Sequence, residues 1–262
     1  MSVGDGLWTI EANMTGLSLE TVLETRGLNA HCGKTQVLHG LTLKLLRGEV
    51  VALLGSSGSG KSTALRTIMG LVMPTGGEVL FAGQQIEGRP AHEIAKMGIG
   101  YVPQQRRVFG RMTVYENLEV GRRLGPSRKG QGLWTFDRVF QLLPQLGSMK
   151  QRFASELDMR EQQLLVIART LMGNPEVLLL DEPTHRLSPG LVDDFARTVD
   201  ELRSEGLSIL MGEQNVQVTQ AVCDRAYLLE QGKIFRECTM LDLMQNEVGQ
   251  QILDHTSDAT VS

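Results

Sequence analysis

The run GSSGSGKST at residues 55–63 is the sequence feature that most constrains this chain. It fits the pattern G-x-x-x-x-G-K-[ST], and the apolar run 50–54 before it predicts a buried strand. After it, Leu65, Ile68 and Met69 recur at helical spacing, and Gly70 ends the pattern. Glycines let backbone N–H groups close around a phosphate, and a helix N-terminus adds the positive end of its dipole. The run therefore predicts a phosphate-binding loop between a strand and a helix.

Two side chains of this loop have predicted roles of their own. Lys61 is expected to reach the β- and γ-phosphates of a nucleotide, and Ser62 is expected to bind Mg²⁺. An ordinary glycine- and serine-rich turn is the alternative, which the flanking strand and helix patterns disfavour. The predicted phosphate-binding residues are Gly55, Ser56, Ser57, Gly58, Ser59, Gly60, Lys61, Ser62 and Thr63.

A second motif follows further along the chain, where the apolar run 178–180 ends in Asp181, Glu182 and Pro183. A carboxylate at the end of a buried strand, downstream of a phosphate-binding loop, suits Mg²⁺, so Asp181 is a predicted metal ligand. Glu182 is a predicted catalytic residue that polarises the attacking water, which indicates hydrolysis of the nucleotide rather than its storage. The alternative is a strand that ends in two solvated acids.

Composition limits the possible partners and compartments. The net charge of −4 gives no support for a nucleic-acid partner. Cys32, Cys223 and Cys238 have neither metal-type spacing nor a disulfide framework, so a reducing cytoplasm is expected. The N-terminus does not read as a signal peptide, and no apolar run reaches the ~18 residues needed to span a bilayer. Any membrane role is therefore expected to go through a partner.

The order of the elements predicts an α/β fold with a mainly parallel sheet, because short apolar strands alternate with helical patterns. Residues 1–21 are expected to be an irregular extension, 22–254 the folded domain and 255–262 a disordered tail. The predicted strands are 22–25, 41–45, 50–54, 78–81, 98–102, 177–180, 208–211, 226–229 and 234–235. The predicted helices follow the phosphate-binding loop, cover most of 113–172 and lie at 192–203. The predicted turns and breaks are 33–34, 47–48, 74–77, 125–132 and 231–232.

Further motifs carry a resemblance to a known family. Together with the phosphate-binding loop and residues 181–184, the run YVPQ at 101–104 resembles the nucleotide-binding subunit of an ABC transporter. More narrowly, the chain is similar to the LivF type of ATPase from branched-chain amino acid importers, with ATPases of urea importers as near relatives. The runs that carry this similarity are RRVF at 106–109, MTVYENL at 112–118, EQQ at 161–163, LMGNP at 171–175 and EQN at 213–215.

The resemblance implies an ABC-type P-loop fold and assigns roles to single residues. The fold would add a small antiparallel β subdomain and a helical subdomain at about 105–156. Gln104 would sense Mg²⁺ and the γ-phosphate, as a catalytic and metal-binding candidate. Gln214, a further catalytic candidate, stands at the place of the switch histidine, where it can bind phosphate but cannot carry a proton. His31 stands where the family stacks a tyrosine on adenine, and filling a turn is its alternative role.

The chain departs from the family at two further segments. The signature motif LSGGQ is replaced by Leu157, Asp158, Met159, Arg160 and Glu161. Asp158 would put a carboxylate against a phosphate, and the next two side chains would fill the path of close backbone approach. Alternatively, Asp158 is simply the N-cap of a helix. Arg160 would bind phosphate or pair with Asp158 or Glu161. At the expected dimer seam, His185 and Arg186 replace the family's Glu-Gly.

The resemblance also implies a function and partners. The chain would bind ATP and Mg²⁺ and energise an importer for branched-chain amino acids or a similar small polar solute. It would form a head-to-tail dimer with a second ABC ATPase beneath two transmembrane subunits, served by a periplasmic solute-binding protein. Its place would be the cytoplasmic face of a bacterial inner membrane. The alternatives are a weakly hydrolytic, regulatory half of a heterodimeric ABC ATPase and a P-loop ATPase outside transport.

Overall fold

Strands and helices alternate along the chain, which confirms the predicted α/β class. The structure, a computed structural model, describes residues 20–122, 133–185 and 189–245. The predicted tail, the loop 125–132 and nearly all of the predicted extension lie outside these ranges. The strands are β1 (Thr21–Cys32), β2 (Thr35–Leu46), β3 (Val50–Leu54), β4 (Pro74–Phe81), β5 (Gln84–Gln85), β6 (Ile99–Val102), β7 (Val177–Asp181), β8 (Ser208–Glu213), β9 (Arg225–Glu230) and β10 (Lys233–Thr239).

Each predicted helical region contains helices, and the structure adds short ones that the sequence analysis missed. The helices are α1 (Lys61–Ile68), α2 (Ala91–Met97), α3 (Val114–Gly121), α4 (Phe136–Leu142), α5 (Pro144–Ser148), α6 (Met159–Leu171), α7 (Pro189–Ser204), α8 (Val216–Val222) and α9 (Met240–Gln245). Helices α2, α8 and α9 were not predicted, because six or seven residues are too few for a clear helical period. Helices α3 to α5 lie within the segment 105–156.

The central sheet brings the ends of four parallel strands to one edge. Its order is β10-β9-β3-β8-β7-β6, and all neighbours are parallel except β9 and β10. The carboxyl ends of β3, β6, β7 and β8 lead into the phosphate-binding loop, Gln104, Glu182 and Gln214, respectively. In open α/β sheets, ligands bind outside the carboxyl ends of the strands. The topology thus gathers segments that are far apart in sequence.

A second, antiparallel sheet has the order β2-β1-β4-β5. The predicted chain break at 74–77 is wrong, since these residues begin β4 and pair with β1. Pro74 is the first residue of that strand, a position where its missing N–H group is tolerated. The sequence analysis also underestimated the length of β1, which was predicted at 22–25 and runs to Cys32. Its pairing with β2 shifts register at several points.

Two apolar cores lie on the two faces of β3, all five residues of which are buried. Val51 and Leu53 face the core that β3 shares with the antiparallel sheet and α1. Val50, Ala52 and Leu54 face the core formed mainly by helices α3 to α8. Strands covered on both faces read as continuous apolar runs, which explains why 50–54 was predicted correctly. None of the described helices is both long enough and apolar enough to cross a membrane.

The hairpin between β9 and β10 closes against the phosphate-binding loop. At its turn, the Gly232 N–H donates to the Ser59 carbonyl at 2.8 Å, and the Gly232 carbonyl accepts from the His39 N–H at 3.0 Å. Gly232 has a φ of +75°, and a Cβ atom there would collide with the Val37 carbonyl oxygen. Only glycine fits this position, so the turn ties β2 to the phosphate-binding loop.

Substitution of this glycine should destabilise the domain. We expect Gly232→Ala to lower the free energy of unfolding by about 2–4 kcal/mol, because left-handed strain adds to the collision with Val37. Gly33→Ala is the matched control, since Gly33 also has a positive φ of +61° but has open space around its Cβ position. Urea unfolding should show a loss of about 1 kcal/mol for this control. Equal losses in the two variants would contradict the assigned role of Gly232.

Candidate functional site

The backbone of the phosphate-binding loop fits tightly between its neighbours. A Cβ atom on Gly55 would collide with the Leu229 carbonyl oxygen of β9 and lie 2.7 Å from Ser59 Oγ. Gly58 and Gly60 have φ values of +79° and +110°, which side-chain-bearing residues rarely adopt. The glycines of the motif are therefore required by close approach and by backbone conformation.

Lys61 is the buried cation of the loop. Its side chain is 2% exposed and its Nζ donates to the carbonyl oxygens of Gly55 and Ser56 at 2.8 and 2.7 Å. The same Nζ lies 3.3 Å from Glu182 Oε1, at the end of β7. Burial lowers the pKa of Lys61, and the Glu182 carboxylate opposes that shift.

The Glu182 carboxylate contacts several of the candidate site residues. Gln214 Nε2 donates to Glu182 Oε1 at 2.7 Å, and Gln104 Nε2 donates to Glu182 Oε2 at 2.7 Å. His185 Nδ1 lies 3.8 Å from Oε2. The structure thus brings the three predicted catalytic residues together around one carboxylate. Gln104, also predicted as a metal ligand, contacts Glu182 instead of the Ser62–Asp181 pair.

The backbone around Glu182 is held in an unusual conformation. Glu182 has a φ of +44°, and its N–H donates to the Gly212 carbonyl at 2.9 Å. Strain of this kind persists only where the surroundings enforce it, and it clusters at functional sites. The conformation turns the chain sharply at the end of β7.

Glu213 is a buried carboxylate that the sequence analysis did not single out. It accepts hydrogen bonds from the Thr184 hydroxyl at 2.7 Å and N–H at 3.2 Å, and from the N–H groups of Gln214 and Asn215. Burial raises the pKa of Glu213, and these donors oppose the shift. It joins the segment after Glu182 to Gln214. The sequence analysis named the run EQN at 213–215 as part of the family resemblance but gave the Glu213 carboxylate no role.

Asp181 and Ser62 form the candidate metal-binding pair. Asp181 is fully buried, and its Oδ1 accepts a hydrogen bond from Ser62 Oγ at 2.7 Å. Its Oδ2 accepts from the Tyr101 hydroxyl at 2.8 Å, and Arg66 Nη2 lies 3.7 Å from the same oxygen. The sequence analysis named Tyr101 only as part of the YVPQ run and gave its hydroxyl no role.

The site fits both predicted groups, a nucleotide phosphate and Mg²⁺. Ser59 Oγ is buried and has no hydrogen-bond partner in the structure, so the loop holds a polar atom that a phosphate oxygen would satisfy. No group of three or more His, Cys, Asp or Glu side chains among the described residues could hold a metal ion. Mg²⁺ usually binds one or two protein oxygens together with substrate phosphates, and Ser62 with Asp181 supplies such a set.

His31 lies apart from these contacts. Its Nδ1 is 3.2 Å from Thr75 Oγ1, on the antiparallel sheet. In the described part of the chain, the side-chain hydrogen bonds of His31 reach none of the other candidate residues. Its assignment to adenine stacking stays a prediction.

Asp158 caps helix α6 in the structure. Its side chain accepts from the Glu161 N–H at 2.8 Å, and the Glu161 side chain accepts from the Asp158 N–H at 2.8 Å. This reciprocal capping box is the geometry of the N-cap alternative. Arg160 pairs with Asp194 of α7 at 2.6 Å and not with Asp158 or Glu161, which was one of the two roles expected for it.

Comparison with known proteins identifies the family. The family model described as ABC transporter matches residues 38–185. The chain is 36% identical over 219 residues to the branched-chain amino acid transport ATP-binding protein BraG of Pseudomonas aeruginosa, covering 84% of this chain and 93% of BraG. It is 32% identical over 231 residues to the lipopolysaccharide export ATP-binding protein LptB of Haemophilus influenzae, covering 87% of this chain and 94% of LptB.

Solved structures of ABC transporter ATP-binding cassettes also match this chain. The ADP conformation of MJ1267, an ATP-binding cassette of an ABC transporter, superimposes with a TM-score of 0.77 at 26% identity. The match covers 89% of this chain and 98% of MJ1267. It bears out the predicted combination of an antiparallel β subdomain with a mainly parallel sheet and helices. The chain therefore belongs to the ABC transporter family as an ATP-binding subunit, in which ATP hydrolysis is coupled to transport.

Proposed function

We propose that this chain energises the import of branched-chain amino acids or a similar small polar solute. The observation that carries the proposal is the 36% identity to BraG over 93% of that protein's length. The similarity to LptB is comparable, so sequence identity alone does not name the transported solute. We expect the membrane partners to determine that solute. ATP binding and coupled hydrolysis belong to the family and rule against a role outside transport.

The chemistry follows from the contacts of Lys61 and Glu182. Phosphates that enter the loop compete with Glu182 for the Lys61 ammonium, which frees the carboxylate. Glu182 then accepts a proton from the attacking water, while Gln104 and Gln214 keep its two oxygens oriented. Ser62 and Asp181 would hold Mg²⁺, which would neutralise charge on the phosphates.

An apolar groove is a candidate docking surface for the transmembrane subunits. A groove of about 420 Å³ lies between the central sheet, helix α3 and helix α6. Three apolar residues on its lining are unusually exposed: Leu71 at 53%, Phe109 at 45% and Val120 at 54%. Exposed apolar patches of this kind mark interaction sites. ABC ATPases dimerise and associate with transmembrane subunits.

The finer assembly is part of the proposal. The chain pairs head to tail with a second, different ABC ATPase and sits beneath two transmembrane subunits that receive solute from a periplasmic binding protein. Those partners hold it at the cytoplasmic face of a bacterial inner membrane. Residues 22–254 form its nucleotide-binding domain, with the helical subdomain at about 105–156.

The capping box of α6 favours a second candidate, a weakly hydrolytic half of a heterodimer. Asp158 takes the place of the signature serine, and its carboxylate, bonded to the Glu161 N–H, would stand against a phosphate bound there. Two like charges at ~4 Å repel by about 1–4 kcal/mol at dielectric constants of 80 to 20. A composite site built with this signature would bind ATP and turn it over slowly. The opposite site would combine this chain's Lys61 and Glu182 with the partner's signature.

Loss of the loop cation should abolish most ATP affinity. We expect Lys61→Ala to weaken ATP binding by about a hundredfold or more, because the charge-assisted contacts to the phosphates are lost. Isothermal calorimetry measures this directly. Lys44→Ala is the control, since the Lys44 side chain is 56% exposed and pairs with Glu24 on the antiparallel sheet. An unchanged dissociation constant for Lys61→Ala would rule out the phosphate-binding role.

Loss of the general base should separate binding from chemistry. We expect Glu182→Gln to leave ATP affinity intact and to slow hydrolysis by about a hundredfold or more in the assembled dimer. Glu156→Gln, at a carboxylate that is 54% exposed, should leave turnover unchanged. Phosphate release under saturating ATP gives both rates. If Glu182→Gln keeps turnover within a factor of about two, another group acts as the base.

Restoration of the signature should activate the isolated chain. We expect the triple variant Asp158→Ser, Met159→Gly, Arg160→Gly to raise its ATPase rate by about tenfold or more, by removing the repelling charge and two obstructing side chains. Asp158→Asn keeps an N-cap but removes the charge, so it should help only partly. If the isolated native chain already hydrolyses ATP as fast as the triple variant, the signature change has no consequence for the ATPase rate.

A further inference from the structure

Tyr101 connects two neighbouring strands at the edge that carries the site. It lies in β6, where it pairs with Leu179 of β7, two residues before Asp181. From there its hydroxyl reaches Asp181 Oδ2 at 2.8 Å. Asp181 is 0% exposed, so each of its oxygens depends on protein donors.

The direction of these hydrogen bonds is fixed by chemistry. Arg66 Nε lies 3.3 Å from the Tyr101 hydroxyl, and a guanidinium can only donate. The hydroxyl therefore accepts from Arg66 and donates its one proton to Asp181 Oδ2. A carboxylate can only accept and a hydroxyl has one proton, so this arrangement gives each of the three groups a matching partner.

With Oδ2 held in this way, the plane of the Asp181 carboxylate is set. Asp181 Oδ1 accepts a hydrogen bond from Ser62 Oγ at 2.7 Å. Asp181 Oδ1 and Ser62 Oγ together form the candidate cation site. Removal of the Tyr101 hydroxyl would leave Oδ2 with Arg66 Nη2, at 3.7 Å, as its nearest remaining cation. The carboxylate could then rotate away from Ser62.

We propose that Tyr101 is a positioning residue for the divalent cation, acting through Asp181. The proposal rests on the proposed Mg²⁺ site at Ser62 and Asp181. In this role Tyr101 acts through its hydrogen bond to Asp181 rather than as a ligand of the cation. It fixes the carboxylate orientation that the cation requires, and so contributes to metal affinity without affecting metal-free nucleotide binding.

The test uses Mn²⁺ as a spectroscopic probe for the Mg²⁺ site. Free Mn²⁺ is measured by electron paramagnetic resonance in the full chain saturated with ADP. We expect Tyr101→Phe to weaken Mn²⁺ binding by about tenfold, the loss of one hydrogen bond to a buried charge. The affinity for ADP without metal should stay within a factor of about two of the native value. Phenylalanine keeps the ring, and thermal unfolding verifies that the variant is folded.

Tyr227→Phe is the matched control. It also removes a tyrosine hydroxyl from the interior, one that accepts from the Lys44 N–H at 3.1 Å on the antiparallel sheet. This variant should bind Mn²⁺ like the native chain. A general loss of packing would affect both variants alike, whereas a positioning role affects Tyr101→Phe alone.

A double-mutant cycle with Ser62→Ala gives a second, independent readout. If Tyr101 acts through the Asp181–Ser62 pair, Tyr101→Phe should cost less than about threefold in the Ser62→Ala background, because coupled residues are not additive. Equal Mn²⁺ affinity of Tyr101→Phe and the native chain would overturn the proposal and leave the Mg²⁺ site standing. Failure of the native chain with ADP to bind Mn²⁺ would overturn the site and the role of Tyr101 together.

Discussion

A buried pair of opposite charges, Lys61 and Glu182, joins the loop after β3 to the end of β7. Two buried charges are costly to desolvate, and the pair is tolerated because both partners are also hydrogen-bonded. Lys61 has two carbonyl acceptors, and Glu182 has the amides of Gln104 and Gln214 as donors. A phosphate that bound Lys61 would therefore change the partners of the candidate catalytic carboxylate, Glu182, in the same event.

The rest of the fold holds these groups in register. The β9–β10 turn binds Ser59 through Gly232, Glu213 links Thr184 to Gln214, and Gly212 accepts the Glu182 N–H. Tyr101 both lines the apolar groove and binds Asp181. The groove and the candidate metal site thus share a side chain.

The elements around the site were predictable because their signals are local. The GSSGSGKST run follows the apolar run of β3 directly, and two acids, Asp181 and Glu182, stand where the apolar run of β7 stops. The contacts between distant segments were not predictable: Tyr101 and Asp181 are 80 residues apart, and the pairing of Arg160 with Asp194 depends on how α6 packs beside α7. Pro74 was taken for a chain break because its strand is recognisable only through its pairing with β1.

We propose that this chain combines a competent catalytic half with a weak signature. Vanadate trapping with a radioactive photoaffinity ATP analogue tests it directly, since vanadate retains nucleotide only at a site that has hydrolysed it. When the chain is mixed with an ABC ATPase partner that carries an intact LSGGQ motif, the label should be trapped on this chain's phosphate-binding loop. Little label should be trapped on the homodimer. Equal trapping in the homodimer and the mixed dimer would contradict this proposal.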